Sequence, residues 1–378
     1  MGSKHVAPPS SCNAPISGAS ISVDDDHLSA RPHPTTQRDA LIQTFGSYFS
    51  FLLFLGLGVG IAFGGWWYFA PAAIMMVFVP ALDAIFGDDR AQFSPKDFRE
   101  WQVKAMKFAP IAFTLIYILS LTFMASRYQS FTVLEMILAT FSMGLIGSVA
   151  FSAIHEIIHK DAFWEKNIGR LGLGFLCYPH FETEHLYSHH IIAATGDDGS
   201  TGWKEENIYQ HLIRAIPTAF MSSLPVDRRK LIPKLLGLSV TISIAYGAAF
   251  GAVSVLFFFA QALIAIIILH ILTFAQHFGA KRDVLENGKY ARMTPAHSWN
   301  AYQRFSNYLT FGVQRHADHH RSAMKPYYLL QLDDEAPELP FGYPMMITIA
   351  LIPPLWKWMM IPRLERHLAP QDGLAPSR

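Results

Sequence analysis

The sequence predicts an all-α integral membrane protein, six transmembrane helices bearing a histidine-rich cap on the cytoplasmic side. Three observations predict it. The chain of 378 residues is 51% hydrophobic with a mean hydropathy of +0.22, and its apolar residues gather in runs near the length that crosses a bilayer. Its lysines and arginines crowd into alternate connections between those runs. Eight of its seventeen histidines fall in three clusters, HEIIH at 155–159, HLYSHH at 185–190 and HADHH at 316–320, each beside a long apolar segment.

The spans are expected at 41–63, 68–86, 106–124, 131–154, 235–255 and 256–274, the last two as a helical hairpin. A further apolar stretch at 342–361 contains Pro353-Pro354, which breaks a helix, so it is read as interfacial or packed on the domain rather than as a seventh span. The 87–105 connection carries Arg90, Lys96, Arg99 and Lys104, and the 155–234 region is rich in Lys and Arg, whereas the turns near Gly65 and 126–130 offer only Arg127. The positive-inside rule then places both termini and all three histidine clusters in the cytoplasm. Residues 1–40, polar and without a basic and apolar leader, read as a disordered cytoplasmic tail. Residues 41–363 form the membrane domain, with the cap built from 155–234 and 275–363, and 364–378 read as a flexible tail. Within the first span Gly56, Gly60 and Gly64 make a close-packing face, and Trp66 and Trp67 read as interface anchors. Asp83, at the inner end of the second span, reads as a solvated cap or as a group behind the metal ligands, and Glu135 as an outer-interface group.

A net charge of +1 gives no reason to expect nucleic acid as a partner. The two cysteines, Cys12 and Cys177, form no CxxC pair, so the chain holds no zinc ribbon, rubredoxin centre or disulfide framework, and any iron–sulfur electron carrier must be another protein. On a helix His155 and His159 share a face, as do His185 and His189, or His316, His319 and His320. Eight imidazoles exceed what one zinc takes, so two metals are expected. His277, where the sixth span emerges, is a ninth candidate ligand, and Glu156, Glu184 and Asp318 are placed to accept ligand N–H bonds. HExxH alone is also the signature of a zinc protease, which keeps a zinc-dependent membrane hydrolase as the rival from another class. Two further clusters with His-His pairs favour a diiron, oxygen-activating site instead. A metal transporter would carry its ligands near the bilayer midplane, not at helix ends.

The segments HEIIHK, EHLYSHH and QRHADHH resemble the three histidine boxes of the membrane-bound non-haem diiron alkane monooxygenases, within the membrane hydroxylase and fatty-acid desaturase superfamily. QHFGAKRDVLENGKYARMTPAHSWN resembles that family's fourth motif, and ALDAIFGDD and FGYPMMITIALIPPLW match further segments, so the resemblance runs from Leu41 to Arg363. It implies a six-helix bundle in the bacterial inner membrane, with two irons held by His155, His159, His185, His189, His190, His277, His316, His319 and His320. It also implies O2 as co-substrate, electrons from rubredoxin with a separate NAD(P)H-dependent reductase, and conversion of the terminal methyl of an alkane to a 1-alcohol. Ser188 after Tyr187, Gln276 and Phe278 around His277, and Ala317 depart from the family's usual residues and bear on tuning and substrate choice. The alternatives within the superfamily are an alkyl-aromatic, xylene-type methyl hydroxylase and a fatty-acyl hydroxylase or desaturase. His297 is assigned beside the ligands or at the partner surface, His270 to the core, and His180 and His211 to the cap. Arg214, Lys281, Arg282, Arg292, Arg304 and Arg315 are expected to receive an acidic rubredoxin. The substrate channel is expected between spans one, two, three and six, with Phe63, Trp66 and Trp67 near its outer end.

Overall fold

The computed structural model describes residues 35–369; the remainder of the two expected tails lies outside the described residues. Among the described residues six helices are long and apolar enough to cross a bilayer: Gln37–Phe63, Gly65–Phe86, Glu100–Ser130, Val133–Ile158, Leu231–Phe250 and Ala252–Gln276, here spans one to six. Among the described residues the only β pairing is three isolated bridges. Most spans run past the expected apolar cores because their ends are capped by polar side chains. Thr36 and Asp39 cap the start of span one reciprocally, and Thr132 and Glu135 do the same for span four. Glu135 also accepts a bond from the Gly65 amide at 2.7 Å, so it ties the turn between spans one and two to span four. The break in the last hairpin falls at Gly251, earlier than the apolar pattern indicates. Its φ of +82° suits glycine, and an unbroken apolar run gives no other sign of where to turn.

Span four is the axis of the bundle. Of its most apolar eighteen residues 89% are buried, against 28–56% for the other spans, so protein surrounds it rather than lipid. Small residues let neighbours approach it closely: a Cβ on Gly144 would stand 2.5 Å from Ile264 on span six. Spans one and two close in the same way, Gly56 against Pro71 and Ile74, and Gly60 against Tyr68. Trp66 and Trp67, at the turn that follows, are exposed, as is Phe63. Helices Tyr343–Ala350 and Pro353–Leu368 meet at 119°, the break that Pro353-Pro354 foretells. Asp83 is not solvated. It is buried at the end of span two, and its carboxylate accepts bonds from the Phe305 and Ser306 amides, capping helix Arg304–Leu309.

Gly144 and Gly58 make a paired test of the axis. Gly144→Ala forces spans four and six apart and is expected to cost about 1–3 kcal/mol, whereas a Cβ on Gly58 meets nothing within 4 Å. Thermal unfolding in detergent should show a lowered midpoint for Gly144→Ala and none for Gly58→Ala.

Candidate metal centre

Three short elements and two span ends bring the histidines together. His155 lies on the last turn of span four and His159 caps it, so i and i+4 spacing aligns them. His277 caps the end of span six. The second cluster departs from the α-helical expectation. His185–His189 is a π turn, with the His190 amide bonded to the His185 carbonyl. Residues five apart then share a face, so His185 aligns with His190, and His189 turns aside. The third cluster, on helix His316–Arg321, also divides: His316 and His320 share a face, and His319 lies off it.

The nine imidazoles therefore form two groups, His155, His159, His185, His190 and His319 in one, and His189, His277, His316 and His320 in the other, each offering ligand nitrogens within 4.8 Å of one another. In the first group Nε2 atoms stand 3.0 Å apart for His155–His319 and His159–His185, and 3.1 Å apart for His185–His190 and His190–His319. In the second the spacings are 3.1 Å for His277–His316 and 3.0 Å for His316–His320. Nitrogens about 2.1 Å from one ion stand about 3.0 Å apart at right angles and about 3.4 Å apart in a tetrahedron. The observed spacings match the first case. A group of five also exceeds the four ligands of a structural zinc.

Electrostatics agree with metal ligation. Burial pushes His159, His185, His316, His319 and His320 below the ordinary imidazole range, His277 to about 3 and His190 to about 2. Neutral imidazoles keep the lone pair that a cation needs. Spans four and six both end at the centre, directing the negative ends of their dipoles at it. At His189 burial acts downward, but the charge and hydrogen bond of Asp198 outweigh it and raise the imidazole.

Asp198 is the residue that sequence reasoning missed. It is buried, 3.2 Å from His189 Nδ1, and is held in turn by the Thr201 hydroxyl at 2.7 Å and the Ser200 amide at 3.1 Å. Its one signal is an acidic pair in the Gly- and Thr-rich turn after the His-His pair. His297 touches the centre through its backbone, its carbonyl accepting from His277 Nδ1 at 3.0 Å. Glu184 lies in the wall beside His189 and Asp198, where burial pushes its carboxyl up to about 8. Glu156 pairs with Lys160 at 2.7 Å, and Asp318 with Lys325 at 2.8 Å and the Gln331 amide at 2.7 Å.

A narrow cavity of about 50 Å³ reaches the histidines. Its walls come from spans four and six and the 178–200 segment, including Phe151, Tyr178, Phe181, Leu269 and Leu272. Spans one, two and three give this cavity no side chain, and Phe63, Trp66 and Trp67 are not on it. A separate open hollow of about 420 Å³ reaches His159, His190 and His320 and carries Lys166, Tyr187 and Arg321. Three of the six cations expected to receive a partner are structural. Arg214 pairs with Glu206, while Arg282 and Arg315 are buried and bond backbone carbonyls.

Residues 131–350 match the fatty acid desaturase family. Alkane 1-monooxygenase 1 of Pseudomonas aeruginosa is 35% identical over 245 residues, 61% of this chain, and the match spans 64% of that protein, just under two thirds of its length. Alkane 1-monooxygenase 2 of the same organism is 31% identical over 333 residues, 81% of this chain and 86% of its own. The xylene/toluene monooxygenase hydroxylase component of Pseudomonas putida is 24% identical over 328 residues, 79% of this chain and 82% of its own.

Asp198→Ala removes the group that orients His189. It is expected to weaken metal retention about 10–100-fold, read by metal content after competition with a chelator. Retention equal to wild type would refute the role.

Proposed function

This chain belongs to the fatty acid desaturase family and, within it, to the alkane 1-monooxygenases, and on that premise we propose that it hydroxylates the terminal methyl of alkanes to 1-alcohols with O2 at a pair of non-haem irons. The observation that carries the reading is the division of nine imidazoles into groups of five and four with right-angle spacing. His155, His159, His185, His190 and His319 would hold one iron, and His189, His277, His316 and His320 the other. When bound, the irons supply the reduction of O2 and the attack on a strong C–H bond. The chain's own residues do the rest. Phe151, Phe181, Leu269 and Leu272 exclude water and strip an alkyl chain of its hydration, at about 0.8 kcal/mol per CH2 buried. The narrow bore favours end-on approach, and near-attack positioning then selects the chain terminus over weaker internal C–H bonds. Higher identity to the alkane enzymes than to the xylene/toluene component supports the alkane reading over the alkyl-aromatic one.

The electron donor is proposed to be rubredoxin, reduced by a separate NAD(P)H-dependent enzyme, with the centre facing the cytoplasm of a bacterial inner membrane. The absence of a cysteine-rich metal motif supports a separate carrier. The open hollow is the docking place, because there His159, His190 and His320 line a depression that also carries two cations, Lys166 and Arg321. Lys281 and Arg292 are exposed cations on the same cap.

Purified enzyme is expected to contain two irons per chain, and His277→Ala to lose iron and turnover together. Zinc in place of iron in fully active protein, or 2-alcohols as the main product from alkanes by gas chromatography, would overturn the reading. For docking, rubredoxin-supported turnover should fall as salt rises, and Lys166→Glu with Arg321→Glu should raise KM for rubredoxin with little change in kcat. A rate indifferent to ionic strength would remove the electrostatic contact.

A further inference from the structure

One buried polar cluster has no part in holding metal. His180, His211 and His270 lie outside both imidazole groups and are 5%, 0% and 2% exposed. Both ring nitrogens of His180, Nε2 of His211 and Nδ1 of His270 have no hydrogen-bond partner among the described residues. The two remaining nitrogens are engaged at opposite ends. His270 Nε2 is 2.6 Å from the Tyr178 hydroxyl, and His211 Nδ1 is 3.1 Å from Glu206. The rings of His211 and His270 are 6.5 Å apart, and that of His180 lies 4.0 Å from Tyr178, tilted by 53°. Buried polar atoms are rarely left unpaired, and a site with two to four such partners holds an ordered water. A water between His211 Nε2 and His270 Nδ1 completes an unbroken chain of hydrogen-bonding groups.

The two ends of that chain differ. Tyr178 and His270 line the cavity that reaches the histidine centre. Glu206 is bonded by Arg214, whose side chain is 20% exposed and lies 4.0 Å over the partly exposed Trp203 ring. Glu206 also accepts from the Trp203 amide at 2.9 Å, and Arg214 bonds both of its carboxylate oxygens and stands 3.2 Å from His211 Nδ1. Hydroxylation of an alkane takes one O2, two electrons from a one-electron carrier protein and two protons, and yields one alcohol and one water. The protons must cross a buried shell.

We propose that Glu206, His211, His270 and Tyr178, joined by buried water, deliver the protons that O2 reduction consumes. The inference rests on the monooxygenase reading above. In each transfer Tyr178 gives its hydroxyl proton to the oxygen being reduced and regains one from His270 Nε2. His270 Nδ1 takes a proton from the water, the water from His211 Nε2, and His211 Nδ1 from Glu206, which draws on solvent. Each imidazole accepts at one nitrogen and donates at the other, so neither needs to carry a net charge at rest.

The test uses the full-length protein with its electron carrier, comparing wild type with Glu206→Gln, His211→Phe and His211→Ala. Iron content and alkane KM should stay at wild-type values, while kcat falls about tenfold or more and the solvent deuterium isotope effect on kcat rises. Added imidazole should restore part of the rate to His211→Ala. Unchanged kcat, a fall in kcat with an unmoved isotope effect, or loss of iron would each overturn the relay. So would a third metal ion per chain that His211→Phe abolishes, since it would assign the cluster to metal. Wild type that oxidises no alkane sinks the parent reading, whereas active wild type with indifferent variants sinks only the relay.

Discussion

The mutual repulsion of imidazole lone pairs is the constraint on which this structure depends. Nine imidazoles converge within two small groups, six neighbouring pairs of Nε2 atoms standing 3.0–3.1 Å apart, and burial disfavours the charged form of most of them. Such crowding becomes favourable around a cation. The surroundings are arranged accordingly. Two helix C-termini direct partial negative charge at the site, Asp198 is held ionised beside His189, and the Nδ1 of His277 is fixed by a backbone carbonyl. The rest of the cap consists largely of devices that hold these rings still.

The scaffold meets that demand through one rigid axis and one local irregularity. Span four is sheathed by protein for most of its length, so His155 and His159 start from a fixed base. The π turn then solves a problem that a regular helix cannot. Three histidines within six residues must serve two centres, and changing the helical phase sends His189 one way and His185 with His190 the other. π turns cost backbone hydrogen-bond quality and persist where a site uses them.

What the sequence made legible, and what it hid, follow from the range of the forces involved. Six spans, the break at Pro353-Pro354 and all nine converging histidines could be read directly, because hydrophobic length and ligand spacing are local properties. The partition of the histidines could not, because a π turn is selected by tertiary contacts. Asp198 was hidden because its role depends on a loop folding back onto His189, nine residues away, with no periodicity to mark it. Arg214, Arg282 and Arg315 looked like surface charge because a count of cations carries no information on burial. Asp83 illustrates the same limit: its partners on helix Arg304–Leu309 lie more than two hundred residues downstream.

The order of the ligands along the chain has a consequence for how the protein is made. His155 meets His319 across 164 residues, and His277 meets His316 only after the sixth span has ended. During synthesis all six spans therefore reach the membrane before either ring of imidazoles is complete. A metal would be captured only after insertion, once helix His316–Arg321 has docked on the bundle. A chain truncated before residue 316 keeps every span and has no finished centre, so a quality check that reads only membrane insertion would pass it.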